Sequence, residues 1–200
     1  MSALLQQLNV ELGELVATAR RSLVQVANGR EGVGAGTIWH PDGLIITNAH
    51  VVRAASPRVI LPDGTTHLAR VLARDPDCDV AALSIEASGL PTIKLGESRN
   101  LKAGQWVMAL GHPLGVPGAV SGGVVIGVEA ALPEMPGRGR DWIAVSLPLR
   151  PGHSGGPLVD SEGRLVGINT MMVGPEVGMA VPVHVVKAVL KQRLGTPALL

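Results

Sequence analysis

The 200-residue sequence has no phenylalanine and no tyrosine. Trp39, Trp106 and Trp142 are its only aromatic residues, so a core must be filled by Val, Leu, Ile, Ala and Met. A single cysteine, Cys78, excludes an intrachain disulfide, and its expected place is as a small buried hydrophobe in a strand. Neither sign of charge dominates: 17 Lys and Arg stand against 16 Asp and Glu, for a net charge of +1. That balance offers no basic stripe, so no nucleic-acid partner is expected. No apolar run approaches the roughly 18 residues of a membrane helix, so no membrane partner is expected either. Glu11 and Glu14 interrupt the N-terminal apolar stretch, which lacks the form of a signal peptide. A cytoplasmic protein is expected, or a periplasmic or extracellular one if the chain is a trimmed form.

What the chain does have is 46% hydrophobic residues punctuated by 26 Gly and 15 Pro, a β-rich and turn-rich composition. Leu5, Leu8, Leu12, Leu15 and Ala19 recur at steps of three and four, which predicts a helix over 2–21 with one apolar stripe, for packing on the body or for a subunit contact. From Ser22 the period shortens. SLVQVAN, AGTIWH, GLIITN, PRVIL, HLARVLA and DVAALSI read as six strands, with Pro41-Asp42-Gly43 and Pro62-Asp63-Gly64 as turns. After a connection, WVMALGH, AVSGGVVIGV, WIAVSLPL, PLVD, RLVGINT and VGMAVP make a second six. The fold class expected is all-β: two tandem six-stranded barrels, lobe one over 22–96 and lobe two over 104–182, in one domain spanning 22–195. Helical spacing returns at 183–194 and is stopped by Gly195 and Pro197.

Ser154 lies in Gly152-His153-Ser154-Gly155-Gly156-Pro157, where glycines on both sides permit tight turns and leave the hydroxyl uncrowded. A serine attacks at neutral pH only if a base takes its proton, and the base needs a carboxylate to hold its tautomer. His50, at the end of strand GLIITN, has the best context of six histidines. Asp79 opens the apolar run DVAAL, where a carboxylate is costly to bury without a partner such as an imidazole N–H.

The ordered motifs TNAHVV, DVAAL and GHSGGPLV resemble the three active-site motifs of chymotrypsin-like serine proteases. The longer segments GAGTIWHPDGLIITNAHVV, GHPLGVPGAVSGGVVIGVEA and RPGHSGGPLVDSEGRLVGINT are similar to the HtrA (DegP-like) branch. The resemblance implies a serine endopeptidase of protein quality control that needs no metal or cofactor, with His50, Asp79 and Ser154 as catalytic residues. It implies an oxyanion hole from the N–H groups of Gly152 and Ser154, and an unfolded or extended polypeptide as substrate. The substrate edge is expected at Thr170, Met171 and Met172. The primary pocket is expected from Pro148, Leu149 and Arg150 and from Gly178, Met179 and Ala180; with no carboxylate there, cleavage after small or medium aliphatic residues follows. The assembly implied is a homotrimer or a monomer, the family's anchor and PDZ domain have no counterpart in these residues, and the loop over 129–141 is the expected gate.

The sequence departs from the family's pattern at His153 and Arg150, where Asn is usual, and at Ser146, where Asp is usual. A catalytically weak relative acting as a polypeptide-binding chaperone or scaffold is the alternative these changes leave open. Other residues have blander readings. His40, His67, His112 and His184 lack ligand spacing and read as surface or capping residues. His153 as a rival base is badly placed beside Ser154, and Asp75 and Asp77 sit in a solvated turn. Gly152-x-Ser154-x-Gly156 also fits a hydrolase elbow, but the residues after it are too few for the helix, acid and histidine that elbow requires.

Overall fold

The computed structural model describes residues 3–28, 32–128, 141–174 and 176–195. Lobe one is an antiparallel sheet of β1 (Leu23–Ala27), β2 (Val33–His40), β3 (Leu44–Thr47), β4 (Arg58–Ile60), β5 (Thr66–Leu68), β6 (Arg70–Asp75) and β7 (Val80–Ser84). Its order is β5-β4-β1-β2-β3-β7-β6. Seven strands appear where six are expected because HLARVLA bends at Ala69, which is buried and donates its N–H to the Pro57 carbonyl at 2.8 Å. That bend puts β5 and β6 on opposite edges of the sheet while a single residue joins them, so the sheet must roll up on itself. Lobe two is a closed barrel of six strands: β8 (Trp106–Gly111), β9 (Ala119–Val128), β10 (Ile143–Ser146), β11 (Pro157–Asp160), β12 (Leu165–Val173) and β13 (Val177–Pro182), ordered β10-β13-β12-β11-β8-β9. The architecture is the chymotrypsin-like double barrel.

Alternation along the strands fills each lobe with aliphatic side chains, among them Val24, Ile38, Ile45 and Leu83 in lobe one and Val107, Ile143, Leu158 and Val166 in lobe two. A third cluster spans both, with Ala35, Leu44 and Ile46 from one lobe meeting Leu110, Ile168 and Met179 from the other. Each Leu, Ile or Met so removed from water contributes about 1.5–3 kcal/mol, and Trp39 and Trp142 join the same cluster, so the lobes hold as one body. Cys78 is partly buried in the turn before β7, where its N–H donates to Asp75 Oδ1 at 2.9 Å; it lies outside the strand in which it was expected.

The helices close the fold. In α1 (Ala3–Arg20) only the second half of the stripe packs, through Leu12, Leu15, Val16 and Ala19, while Leu4, Leu5 and Leu8 stand exposed. Helix α2 (Val183–Leu194) buries Val183, Val186, Val189 and Leu190 on one face and ends at Gly195 in a left-handed conformation, φ 66°. Its first turn is held by buried Ser98, whose Oγ accepts the His184 N–H at 3.2 Å and bonds His184 Nδ1 at 2.9 Å. His184, expected at the surface or as a cap, is instead the residue capped, with its ring mostly buried and its Nε2 3.0 Å from Asp141 Oδ2. His112 does not lie at the surface: its Nε2 reaches the Val24 carbonyl at 3.2 Å and bridges the two lobes.

Candidate active site

Lobe one contributes His50 and Asp79. Where β3 ends, buried Thr47 donates to the Ala35 carbonyl at 2.7 Å and buried Asn48 donates to the Asp79 carbonyl at 3.0 Å. Those bonds turn the chain so that His50 faces the other lobe. Asp79 precedes β7 with φ 53°, a left-handed conformation that Asp tolerates better than most residues. Its carboxylate is buried and well partnered. His50 Nδ1 lies 3.0 and 2.9 Å from its two oxygens, the His50 backbone N–H donates to Oδ1 at 3.1 Å, and the Thr170 hydroxyl donates to Oδ2 at 2.5 Å. Burial pushes the Asp79 carboxyl up, but the bonds from His50 and Thr170 and the attraction of His50 together hold it below the usual 3.8. An ionised Asp79 can only accept, so the His50 ring proton sits on Nδ1 and the Nε2 lone pair is left free.

Lobe two contributes the segment Arg150–Ser154. The His153 N–H donates to the Arg150 carbonyl at 2.9 Å, with Pro151 and Gly152 between them and Gly152 at φ 105°, the pattern of a type II turn. Glycine is required at 152: besides its φ, a Cβ there would lie 2.5 Å from the His112 carbonyl oxygen. The Gly152 carbonyl accepts the His112 N–H at 2.8 Å, turning away from the cleft side of the loop. Among the described residues, the N–H groups of Gly152 and Ser154 meet no acceptor. The Ser154 carbonyl accepts the Ala35 N–H at 2.8 Å, tying the segment to lobe one. The Ser154 hydroxyl donates to the Thr170 carbonyl at 2.7 Å, and among the described residues no hydrogen bond joins it to His50.

His50, Gly152 and Ser154 line one cleft of about 460 Å³ with Leu149, Arg150, Thr170, Met171 and Met172. Beyond Asn169, β12 pairs among the described residues only with β13, which leaves the other strand edge of Thr170–Met172 without a paired strand there. The Leu149 N–H donates to the Met172 sulfur at 3.0 Å. Pro148 is exposed and lies outside the lining, and Met179 and Ala180 are fully buried, Met179 between the lobes and Ala180 inside the barrel. Gly178 stands behind Leu149, where a Cβ would meet the leucine side chain at 3.0 Å. Asp75, weighed as an alternative acid, instead pairs with Arg193 at 3.0 Å. The 129–140 part of the expected gate lies outside the described residues.

Three features were missed in the sequence. Thr170, read as substrate edge, also anchors Asp79. Asn28 ties the segment after His50 through the Val51 carbonyl at 2.8 Å and the N–H groups of Arg53 and Ala54 at 3.0 and 3.1 Å. Gly34, just ahead of the strand segment AGTIWH, lines the cleft and packs so closely on Val51 that a Cβ there would lie 2.6 Å from it. Only contacts distant in sequence reveal these.

Against known proteins, the family described as trypsin-like peptidase domain matches residues 34–168. The mitochondrial serine protease HTRA2 of Drosophila pseudoobscura pseudoobscura is 39% identical over 164 residues, 80% of this chain and 38% of that protein. The chloroplastic Protease Do-like 1 of Arabidopsis thaliana is 41% identical over 173 residues, 81% of this chain and 39% of its own. A probable periplasmic DegP-like serine endoprotease of Halomonas elongata is 38% identical over 82% of this chain and 35% of its own. The chain thus spans well under half the length of these relatives, and their compartments give no support to a cytoplasmic one. No helix among the described residues is long and apolar enough to cross a membrane. A solved structure titled "HtrA-type protease AlgW with decapeptide" superposes with a TM-score of 0.81 at 25% identity, covering 90% of this chain and 66% of that one.

Proposed function

Because the chain belongs to the trypsin-like peptidase domain family and has HtrA-type proteases as homologues, we propose that it is a serine endopeptidase acting on extended polypeptides. The observation that carries the reading is a cleft in which an Asp79-anchored imidazole and the Ser154 hydroxyl lie beside two N–H groups without acceptors. Ser154 Oγ attacks the scissile carbonyl and passes its proton to His50 Nε2, and His50 then gives that proton to the leaving amine. Asp79 keeps the imidazole in the accepting tautomer and stabilises the imidazolium that forms. The N–H groups of Gly152 and Ser154 receive the oxyanion; a donor of this kind contributes about 2.7–4 kcal/mol to the transition state. From the resting state, the serine hydroxyl turns from the Thr170 carbonyl toward His50 before attack.

The open edge at Thr170–Met172 takes a substrate strand by backbone pairing. Leu149 and Met172, held together by the N–H to sulfur bond, make an apolar primary pocket for small or medium aliphatic residues, the preference of an enzyme that clears unfolded chains in protein quality control. Exposed Leu4, Leu5 and Leu8 on α1 favour self-association, as in the homotrimer expected from the resemblance, over a monomer; light scattering reads the mass directly. One observation favours a second reading, a polypeptide-binding chaperone or scaffold: the serine hydroxyl rests on Thr170 rather than on His50.

Casein digestion by the wild type and by Ser154→Ala, with fragment ends read by mass spectrometry and Ser154 labelled by a fluorophosphonate, separates the two. Labelling, with aliphatic cleavage sites that vanish in the variant, supports the peptidase. Casein bound by both proteins, with no cleavage and no labelling, overturns it.

A further inference from the structure

The side chain beside the nucleophile has no part in the chemistry above, yet it is 1% exposed and its Nε2 is buried without a hydrogen-bond partner. Its other nitrogen is engaged. His153 Nδ1 lies 3.0 Å from the Arg150 N–H and 3.2 Å from the Arg150 carbonyl, which already accepts the His153 N–H at 2.9 Å. The Arg150 N–H needs an acceptor, so Nδ1 is the unprotonated nitrogen and the ring proton is on Nε2. Ring and main chain of His153 thus close the turn that presents the Gly152 N–H. Gly111 backs the turn tightly, since a Cβ there would lie 2.6 Å from both the Gly152 oxygen and His153 Cα.

We propose, on the peptidase reading above, that His153 is a positioning residue whose neutral ring holds the oxyanion-hole turn and whose protonation releases it. A proton on Nδ1 would place a donor against the Arg150 donor and strand a cation in the interior. The titratable groups described around the ring are Arg150 on its own turn and His112 from the end of β8; both are basic, and among the described residues no carboxylate bonds or pairs with it. Burial holds the imidazole below the ordinary 6.5 against an upward pull from the Arg150 backbone, and the charges of Arg150 and His112 lower it a little further. The unfolded chain therefore takes up this proton first as pH falls through that value, and the folded turn is lost only on further acidification.

Asn presents an acceptor where His has Nδ1 but does not titrate, so His153→Asn separates the two functions of the ring. The test is the pH dependence of kcat/KM on a peptide taken from a casein cleavage site. The wild type is expected to lose activity on the acid side with a log–log slope steeper by about one than that of His153→Asn. His153→Ala, which lacks the acceptor, is expected to be about 10- to 100-fold slower at pH 8, from weakened oxyanion binding. Superimposable wild-type and His153→Asn profiles overturn the proposal. A readout without catalysis is the NMR titration of 15N-labelled Ser154→Ala protein, in which the His153 ring and the Arg150 and Gly152 amides should titrate together. Amides that stay still while the ring protonates, or a ring that stays neutral until the protein unfolds, overturn it. A turn that moves in a protein without peptidase activity counts against the peptidase reading alone.

Discussion

Asp79→Asn tests the arrangement around His50 most directly. The φ of 53° at this position suits Asn as well as Asp, so the backbone does not confound the change. The amide has one orientation that fits. The His50 backbone N–H, 3.1 Å from Oδ1, can only donate, so the amide oxygen must stay there and the NH2 must take the Oδ2 place. There it faces His50 Nδ1 at 2.9 Å and donates to it, while the Thr170 hydroxyl reverses from donor to acceptor. His50 is then forced into the opposite tautomer, with its proton on Nε2, and cannot receive the proton of Ser154. Loss of the base costs about 10⁴ in kcat, as in related triads, or about 5 kcal/mol at 1.36 kcal/mol per decade. Stability should change far less, by about 1–2 kcal/mol, because every hydrogen bond is kept in neutral form. Peptide hydrolysis and fluorophosphonate labelling read the first quantity and urea unfolding the second. A folded Asp79→Asn protein that retained more than about a tenth of wild-type kcat would refute the tautomer argument.

Thr170→Val removes the hydroxyl bond to Asp79 while keeping the carbonyl that receives the Ser154 hydroxyl. Asp79 is held below 3.8, so its contribution is present above that pH and is lost as pH falls through the lower folded value. Without Thr170 the folded value rises, and acid unfolding followed by circular dichroism should begin at higher pH, with kcat/KM lower by about 10-fold. Leu149→Ala opens the primary pocket and breaks its packing on Gly178; fragment ends should shift toward larger apolar residues, and an unchanged cleavage pattern would remove Leu149 from the pocket. Ser98→Ala removes the acceptor for the first turn of α2 far from the cleft, and should lower stability by about 1 kcal/mol in urea with kcat/KM unchanged.

The strands were legible because alternation of apolar residues needs only local sequence, as in GLIITN and WVMALGH. The division of HLARVLA was not, since its bend depends on the Ala69 bond to Pro57, a contact across the sheet edge. His50, Asp79 and Ser154 were legible as candidates because each proposed role demands one residue type in a recognisable turn. The residues that support them were less so. Thr170 bonds an aspartate 91 positions away, and nothing in its own neighbourhood marks it as an anchor. Pro148, Met179 and Ala180 were expected at the cleft from the resemblance, whereas Met179 packs into the cluster between the lobes, Ala180 into the barrel interior on the opposite face of β13, and Pro148 is exposed.

The sequence by itself determined the β architecture and offered the candidate reacting groups in their order along the chain, because periodicity and functional-group chemistry are properties of short segments. Tertiary structure alone decided which way those groups face. That Asp79 is pinned by Thr170, that the serine hydroxyl rests on a carbonyl, and that the His153 ring closes the turn behind it all follow from two lobes packing across one interface, where hydrogen-bond partners are chosen by proximity in space and not along the chain.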